Sequence, residues 1–372
     1  MKNNKKGFTL IELLAVIVIL AIIALIAVPV ILNIINKANK SASKDTVYRI
    51  IEAGELYFAD QELDITGMKA NKEFEFPNNI DGLQIKGKLP NKGKMIVNTK
   101  GEIALAVSNG RYTVTKGFEE SEVTITESKN NVLPGYLPEK VYNVGDSVYY
   151  NPETGSVCND YTANNSKADV KKGCMKWYVY KKEGNTVTIV LDHNTTNQST
   201  EKRNATWSLA KDASGNFTNA EGPTNIMKVL KEDISLWNGM VKANTDLIAF
   251  EDVVKLTPWY KEYIEANPNA KPGTYDFQYA YIINWYKAEA EYKKKYPEGT
   301  QGPGYNAFMK EHPVYKKILL PDYMHVGNNY WTKYPYAGSS RDAWYVHSHG
   351  FAYDSYVENT WVGARPVITL NI

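Results

Sequence analysis

The chain has 372 residues, 43% of them apolar, enough for two or three domains with a sizeable core. Its formal net charge is +2; with the three lysines of the first six residues set aside, 40 basic residues face 41 acidic ones. So balanced a body does not supply the basic stripe of a nucleic-acid binder, and no nucleic-acid partner is expected.

The chain opens MKNNKK and passes through GFTLIEL into a long apolar run. From Phe8 to Leu32 the one ionisable side chain is Glu12, and Leu13 to Leu32 is 20 residues without a charge. At 1.5 Å per residue that run spans about 30 Å, one bilayer hydrocarbon core. Lys2, Lys5 and Lys6 fix the start on the cytoplasmic side, so the rest of the chain lies outside. No clean small-residue cleavage site follows the run, as a secretory signal would need. Instead Ile31, Ile34, Ile35, Ala38, Ala42, Val47, Ile50, Ile51 and Leu56 recur at helical spacing, so one helix is expected to run to about Phe58. A carboxylate at the depth of Glu12 costs a few kcal/mol and calls for a partner, which a plain signal anchor does not provide. Pro29 removes one helix hydrogen bond, and a kink or local melt is expected there.

The stretch KKGFTLIELLAVIVILAIIALIAVP resembles the N-terminus of a type IV prepilin: a short basic leader ending in Gly7, then Phe8, Thr9 and Leu10, Glu12 five residues into the mature chain, and an apolar helix containing Pro29. The resemblance implies cleavage between Gly7 and Phe8 by a prepilin peptidase and N-methylation of Phe8. It also implies that Glu12 pairs with the Phe8 amine of a neighbouring subunit, setting register as a filament grows. Pro29 is then either a plain transmembrane kink or a filament-packing feature, and both readings stand.

Beyond the helix, NKEFEFPNN, DGLQIKGKLPNKGKMIVNTKGEIALAVSNGRYTVTKGF and SEVTITES read as short strands with Gly and Asn turns, and GEIALAVSNGRYTVTK as the clearest hairpin. The expected order is a leader at 1–7, a pilin domain at 8–128 (helix 8–58, β head 70–128), a polar linker with two prolines at 129–140, and a second domain at 141–372. Composition shifts across the linker: all eight tryptophans fall after residue 176 and 24 of the 27 tyrosines after residue 131. The second domain reads as strands, then a helical middle from NIMKVLKEDISLWNGM to FQYAYIINWYKAEAEYKKKY, then strands again. The fold class is therefore α+β: a long N-terminal helix on a small antiparallel sheet, followed by a larger α+β domain.

VGDSVYYN, YWT, AWYVHSHGFAYDSY and GARPVITL resemble an extracellular domain of Gram-positive bacteria with a C-type-lectin-like or formylglycine-generating-enzyme-like fold. Residues 256–320 depart from that pattern and read as an insertion. The reactive cysteines of the enzyme members have no matching motif, so no catalytic residue and no cofactor are assigned, and the chain is expected not to be an enzyme.

Cys158 and Cys174, with 15 residues between them, form a disulfide pair in an oxidising compartment. His347 and His349 fall on one side of a strand and, with Asp342 or Asp354, are weak metal candidates; no metal is assigned. Ser348 between them lacks a nucleophile elbow. Arg365, before a proline in a terminal strand, reads as a buried or half-buried structural ion pair. Trp331, Trp344 and Trp361 read as core, with one or two rings exposed.

The function expected from the resemblance is a structural subunit: a minor or tip-associated pilin, anchored in the membrane by one pass, then carried into a surface filament. Its partners are the prepilin peptidase, other pilin subunits and the pilus assembly machinery, with adhesion to a carbohydrate or protein as the task of the second domain. The alternatives are a pseudopilin of a secretion or DNA-uptake apparatus and a membrane-anchored binding protein.

Overall fold

The computed structural model describes residues 10–63, 67–68, 70–128, 133–161, 171–195, 205–257, 260, 262, 267, 271–295, 311–319, 329–347 and 352–372. The chain divides into two compact units: Met1–Lys116 with Ser121–Ser128, and Gly117–Glu120 with Lys129–Ile372. The fold is α+β, a long apolar N-terminal helix followed by a larger body of antiparallel sheets with some helices.

In the first unit, α1 runs over Leu10–Glu62, 53 residues. Its C-terminal part packs on a meander of β1 (Lys72–Phe76), β2 (Lys92–Val97), β3 (Ile103–Ser108), β4 (Tyr112–Lys116) and β5 (Thr124–Glu127), in that order across the sheet. The apolar spacing noted in the sequence delivers Val47, Ile50 and Ile51 to one face, where they meet Phe74, Met95, Val97, Ile103, Leu105 and Val107. Gly54 lets helix and sheet approach: a Cβ there would lie 2.8 Å from Ile103 Cδ1. The hairpin of β3 and β4 pairs Ser108 with Thr113, and the Asn109 side chain caps its own turn by accepting from the amides of Arg111 and Tyr112.

The second unit is built on a six-stranded antiparallel sheet: β6 (Ser147–Asn151), β7 (Ser156–Val157), β8 (Met175–Glu183), β9 (Thr186–Leu191), β10 (Thr245–Leu247) and β14 (Pro366–Asn371), ordered β10-β14-β9-β8-β6-β7. A second sheet holds β11 (Tyr330–Pro335), β12 (Asp342–Val346) and β13 (Ala352–Tyr356). Among the described residues the helices include α2 (Thr224–Asp233), α3 (Gly239–Ala243), α4 (Phe250–Lys255), α5 (Tyr275–Lys295) and α6 (Pro313–Leu319).

The apolar runs TVTIVL and PVITL do not alternate because the large sheet is covered on both faces. Trp177, Val179, Val187, Ile189, Leu191, Ile368 and Leu370 enter one core, which α2 closes with Ile226 and Leu230. Tyr178, Tyr180, Val190 and Val367 enter the other, against Phe250, Val253 and Val254 of α4, Phe277 and Tyr281 of α5, and Tyr315, Ile318 and Leu319 of α6. The helices described within residues 256–320, read from the sequence as an insertion, supply one wall of the core. The linker reading of 129–140 also changes. Residues 129–132 lie outside the described residues, but Leu133, Tyr136 and Leu137 are buried, and the Leu137 amide donates to the Asn371 carbonyl at 2.7 Å. Three large apolar side chains in this Pro-containing stretch have a core to enter, so it packs instead of spanning free.

Candidate functional site

The site with the clearest chemistry is α1. From Leu10 to Ile35 its Leu, Ile and Val side chains are 45–85% exposed. It is the one described helix long and apolar enough to cross a membrane. An apolar sleeve of that extent is tolerated only against lipid or other protein. Glu12 lies in the first turn of α1, within this sleeve, and is itself exposed. Pro29 sits inside the helix, which continues through it, so the expected local melt is absent; one lost amide donor does not outweigh the hydrogen bonds of the apolar turns around it. Gly7 and Phe8 lie outside the described residues.

In the second unit, Cys158 and Cys174 are joined as a disulfide, with Cα atoms 5.8 Å apart. Asp160 lies close to both sulfurs, but sulfurs bonded to each other offer no thiolate, so this trio is not a metal centre.

Strand alternation separates the residues grouped as metal candidates. His347 sits beside Tyr345 and Tyr353, with ring centroids 6.1 and 5.7 Å away. Asp342 and Asp354 share the opposite face of β12 and β13 with Trp344, which pairs across the strands with Asp354. Ser348 and His349 lie outside the described residues. Burial pushes the Tyr345 phenol up to about 12, so that ring acts as a neutral apolar body.

Arg365 is buried, as expected, but is not an ion pair among the described residues. Its Nε donates to the Leu191 carbonyl at 2.6 Å and its guanidinium lies 4.9 Å over the Tyr330 ring, while Nη1 and Nη2 find no hydrogen-bond acceptor. Trp331 and Trp344 are core, and the Trp331 indole donates to the Ala205 carbonyl at 2.8 Å. Trp361 is 43% exposed and packs edge-on against Tyr345. A buried pair that sequence reasoning passed over is Asp192 with His193, joined through Oδ1 and Nδ1. Also passed over were the exposed tyrosines of α5, although YDFQY carries the signal: two tyrosines four residues apart on one helix face.

The comparison with protein families supplies the deciding observation. Residues 2–28 match the prokaryotic N-terminal methylation motif. The match supports a type IV pilin-like or pseudopilin-like precursor, and it implies processing by prepilin peptidase and assembly with other pilins. Together with the bare helix it is consistent with a membrane-anchored precursor that becomes part of a surface filament. No curated protein and no solved structure matches the chain. The resemblance of the second unit to lectin-like or formylglycine-generating-enzyme-like domains gains no support from either.

Proposed function

We propose that the chain is a minor or tip-associated type IV pilin-like subunit that uses α1 to enter a filament and presents its second unit for adhesion. The observation behind this reading is the methylation motif at the head of a helix whose first 26 described residues, 10–35, are mostly apolar and stay outside the first unit's core. In the proposed sequence, the leader of residues 1–7 holds the precursor in the membrane. Cleavage after Gly7 exposes the amine of Phe8, one helical turn from Glu12. The carboxylate of Glu12 then neutralises the amine of a neighbouring copy, which removes the cost of two charges in an apolar surrounding. The size of the second unit favours a position where it does not obstruct the helical stack. No catalytic chemistry is assigned, and the motif points to a structural subunit.

The test is mass spectrometry of the N-terminal peptide, from sheared surface filaments and from membranes separately. Methylated Phe8 as first residue in a sheared fraction, at low stoichiometry against a second pilin, is the expected result. Uniform high stoichiometry along the filament removes the minor-subunit reading, and Met1 retained in membranes alone removes the pilin reading. Glu12→Leu is expected to keep membrane insertion and lose recovery in the sheared fraction.

A further inference from the structure

The second unit carries an exposed aromatic surface beside two carboxylates that no lysine, arginine or histidine among the described residues pairs with. Tyr275 and Tyr279 stand one turn apart at the start of α5, 45% and 47% exposed, their rings stacked with centroids 5.6 Å apart and planes 14° apart. Gln278, buried between them in sequence, ties the loop after β11 to the helix: its Nε2 donates to the Pro335 carbonyl at 3.1 Å and its Oε1 accepts from the Ala337 amide at 2.7 Å. Tyr336 is thereby held beside Tyr275, with centroids 6.5 Å apart. Gly338 leaves room for both rings, since a Cβ there would lie 2.6 Å from Tyr336 Oη and 2.9 Å from Tyr275 Cε2.

Tyr336 in turn meets Trp344 edge-on at 5.2 Å. Trp344 shares its strand face with Asp342 and Asp354, and the Tyr336 amide donates to the Asp342 carbonyl, so the two aspartates lie on the Tyr336 side of the tyrosine group. Both acids bear on the Tyr336 phenol, which is raised first by burial and then by its tyrosine and aspartate neighbours. The carboxyl of Asp354 is itself raised, by desolvation first and then by Asp342. A surface that keeps two mutually repelling carboxylates uncompensated next to three rings is complementary to a cation that also stacks.

We propose that this surface docks an arginine side chain presented by a protein partner. A guanidinium is planar and weakly hydrated, lies flat on aromatic faces and offers forked donors to carboxylates; a lysine ammonium is a strongly hydrated point charge. A calcium ion would want six to eight oxygens and gain nothing from the rings. The same chemistry occurs within this unit: Arg341 lies 4.9 Å over the ring of Tyr356 and pairs with Glu358 at 2.9 Å. The inference stands on the second unit alone and holds whether or not the chain enters a filament.

The test uses the full chain in detergent micelles and two probes, acetyl-Gly-Arg-Gly-amide and acetyl-Gly-Lys-Gly-amide, followed by saturation-transfer NMR. The arginine peptide is expected to saturate in the millimolar range, with the lysine peptide at least about fivefold weaker. Asp342→Asn with Asp354→Asn is expected to weaken the arginine peptide by about tenfold or more, and Tyr279→Ala by about threefold, with no loss of thermal stability by tryptophan fluorescence in either variant. The proposal is overturned by absence of saturation up to about 50 mM, by equal binding of the two peptides, or by binding that survives the double Asp variant. Loss of arginine-peptide binding on adding calcium would also overturn it, by assigning the carboxylates to a metal.

Discussion

Replacing Cys158 and Cys174 by serine tests how the second unit holds together. The bridge closes a loop of 16 residues in sequence separation, for which the chain-entropy model gives about 3 kcal/mol. In the folded unit the ends of that loop have other anchors. The Cys158 amide donates to the Tyr149 carbonyl at 3.1 Å, the Gly173 amide to Glu153 Oε2 at 2.7 Å, and the Trp237 indole to the Lys171 carbonyl at 2.7 Å. The native arrangement should therefore survive, and the loss should appear through a freer unfolded chain. All eight tryptophans belong to the second unit, so fluorescence during urea unfolding of the whole protein reports that unit and is blind to the first. With a slope of about 3 kcal/mol per molar urea, the midpoint should fall by about 1 M with no change in the native spectrum. A shift below about 0.3 M would refute the entropic reasoning. Two alkylatable thiols in the unfolded wild-type protein would refute the bridge itself.

Three further outcomes are expected. Arg365→Met should unfold within about 1 kcal/mol of wild type or above it, because a buried charge with no counter-ion among the described residues loses little on replacement by an apolar chain of similar length; a loss above about 3 kcal/mol in the same urea assay would show that the guanidinium is paired in solution. Gly54→Leu should destabilise the first unit by about 1–3 kcal/mol, read as faster proteolysis between α1 and the meander, since a Cβ there already sits within contact distance of Ile103. Asp354→Asn should raise the melting temperature at pH 7. Its carboxyl is held above the usual range in the folded state, so ionisation opposes folding, and that penalty fades as pH falls through the folded value; an equal gain at pH 3 would contradict this sign.

The parts legible in the sequence are those set by neighbours along the chain. An uncharged run of 20 residues could be nothing but an apolar helix, and periodicity carried it to within four residues of its observed end at Glu62. The β3–β4 hairpin followed from SNGR between alternating strands. What failed depended on partners distant in sequence. Tyr136 and Leu137 looked like part of a linker because nothing nearby announces the Asn371 strand they pair with. The core role of the helices in 256–320 was not legible either, because Phe277, Tyr281 and Ile318 show it only against Tyr178 and Val190. Arg365 was given a carboxylate by default, yet among the described residues it contacts a carbonyl and a ring. At the candidate assembly helix the sequence and the family match say more than the fold does, because its chemistry is that of a surface awaiting a second molecule.

The position of β14 has a consequence for timing. It lies between β10 and β9, so residues 366–371 fill the middle of a sheet whose other strands were made as early as residue 147. Both cores of the second unit stay open along that gap until residue 371 has left the ribosome and crossed to the far side. If α1 halts in the membrane as proposed, the first unit can already be folded while the second is still an unclosed sheet with a bare slot. Any chaperone, protease or stray strand that reaches the slot first competes with the protein's own last strand.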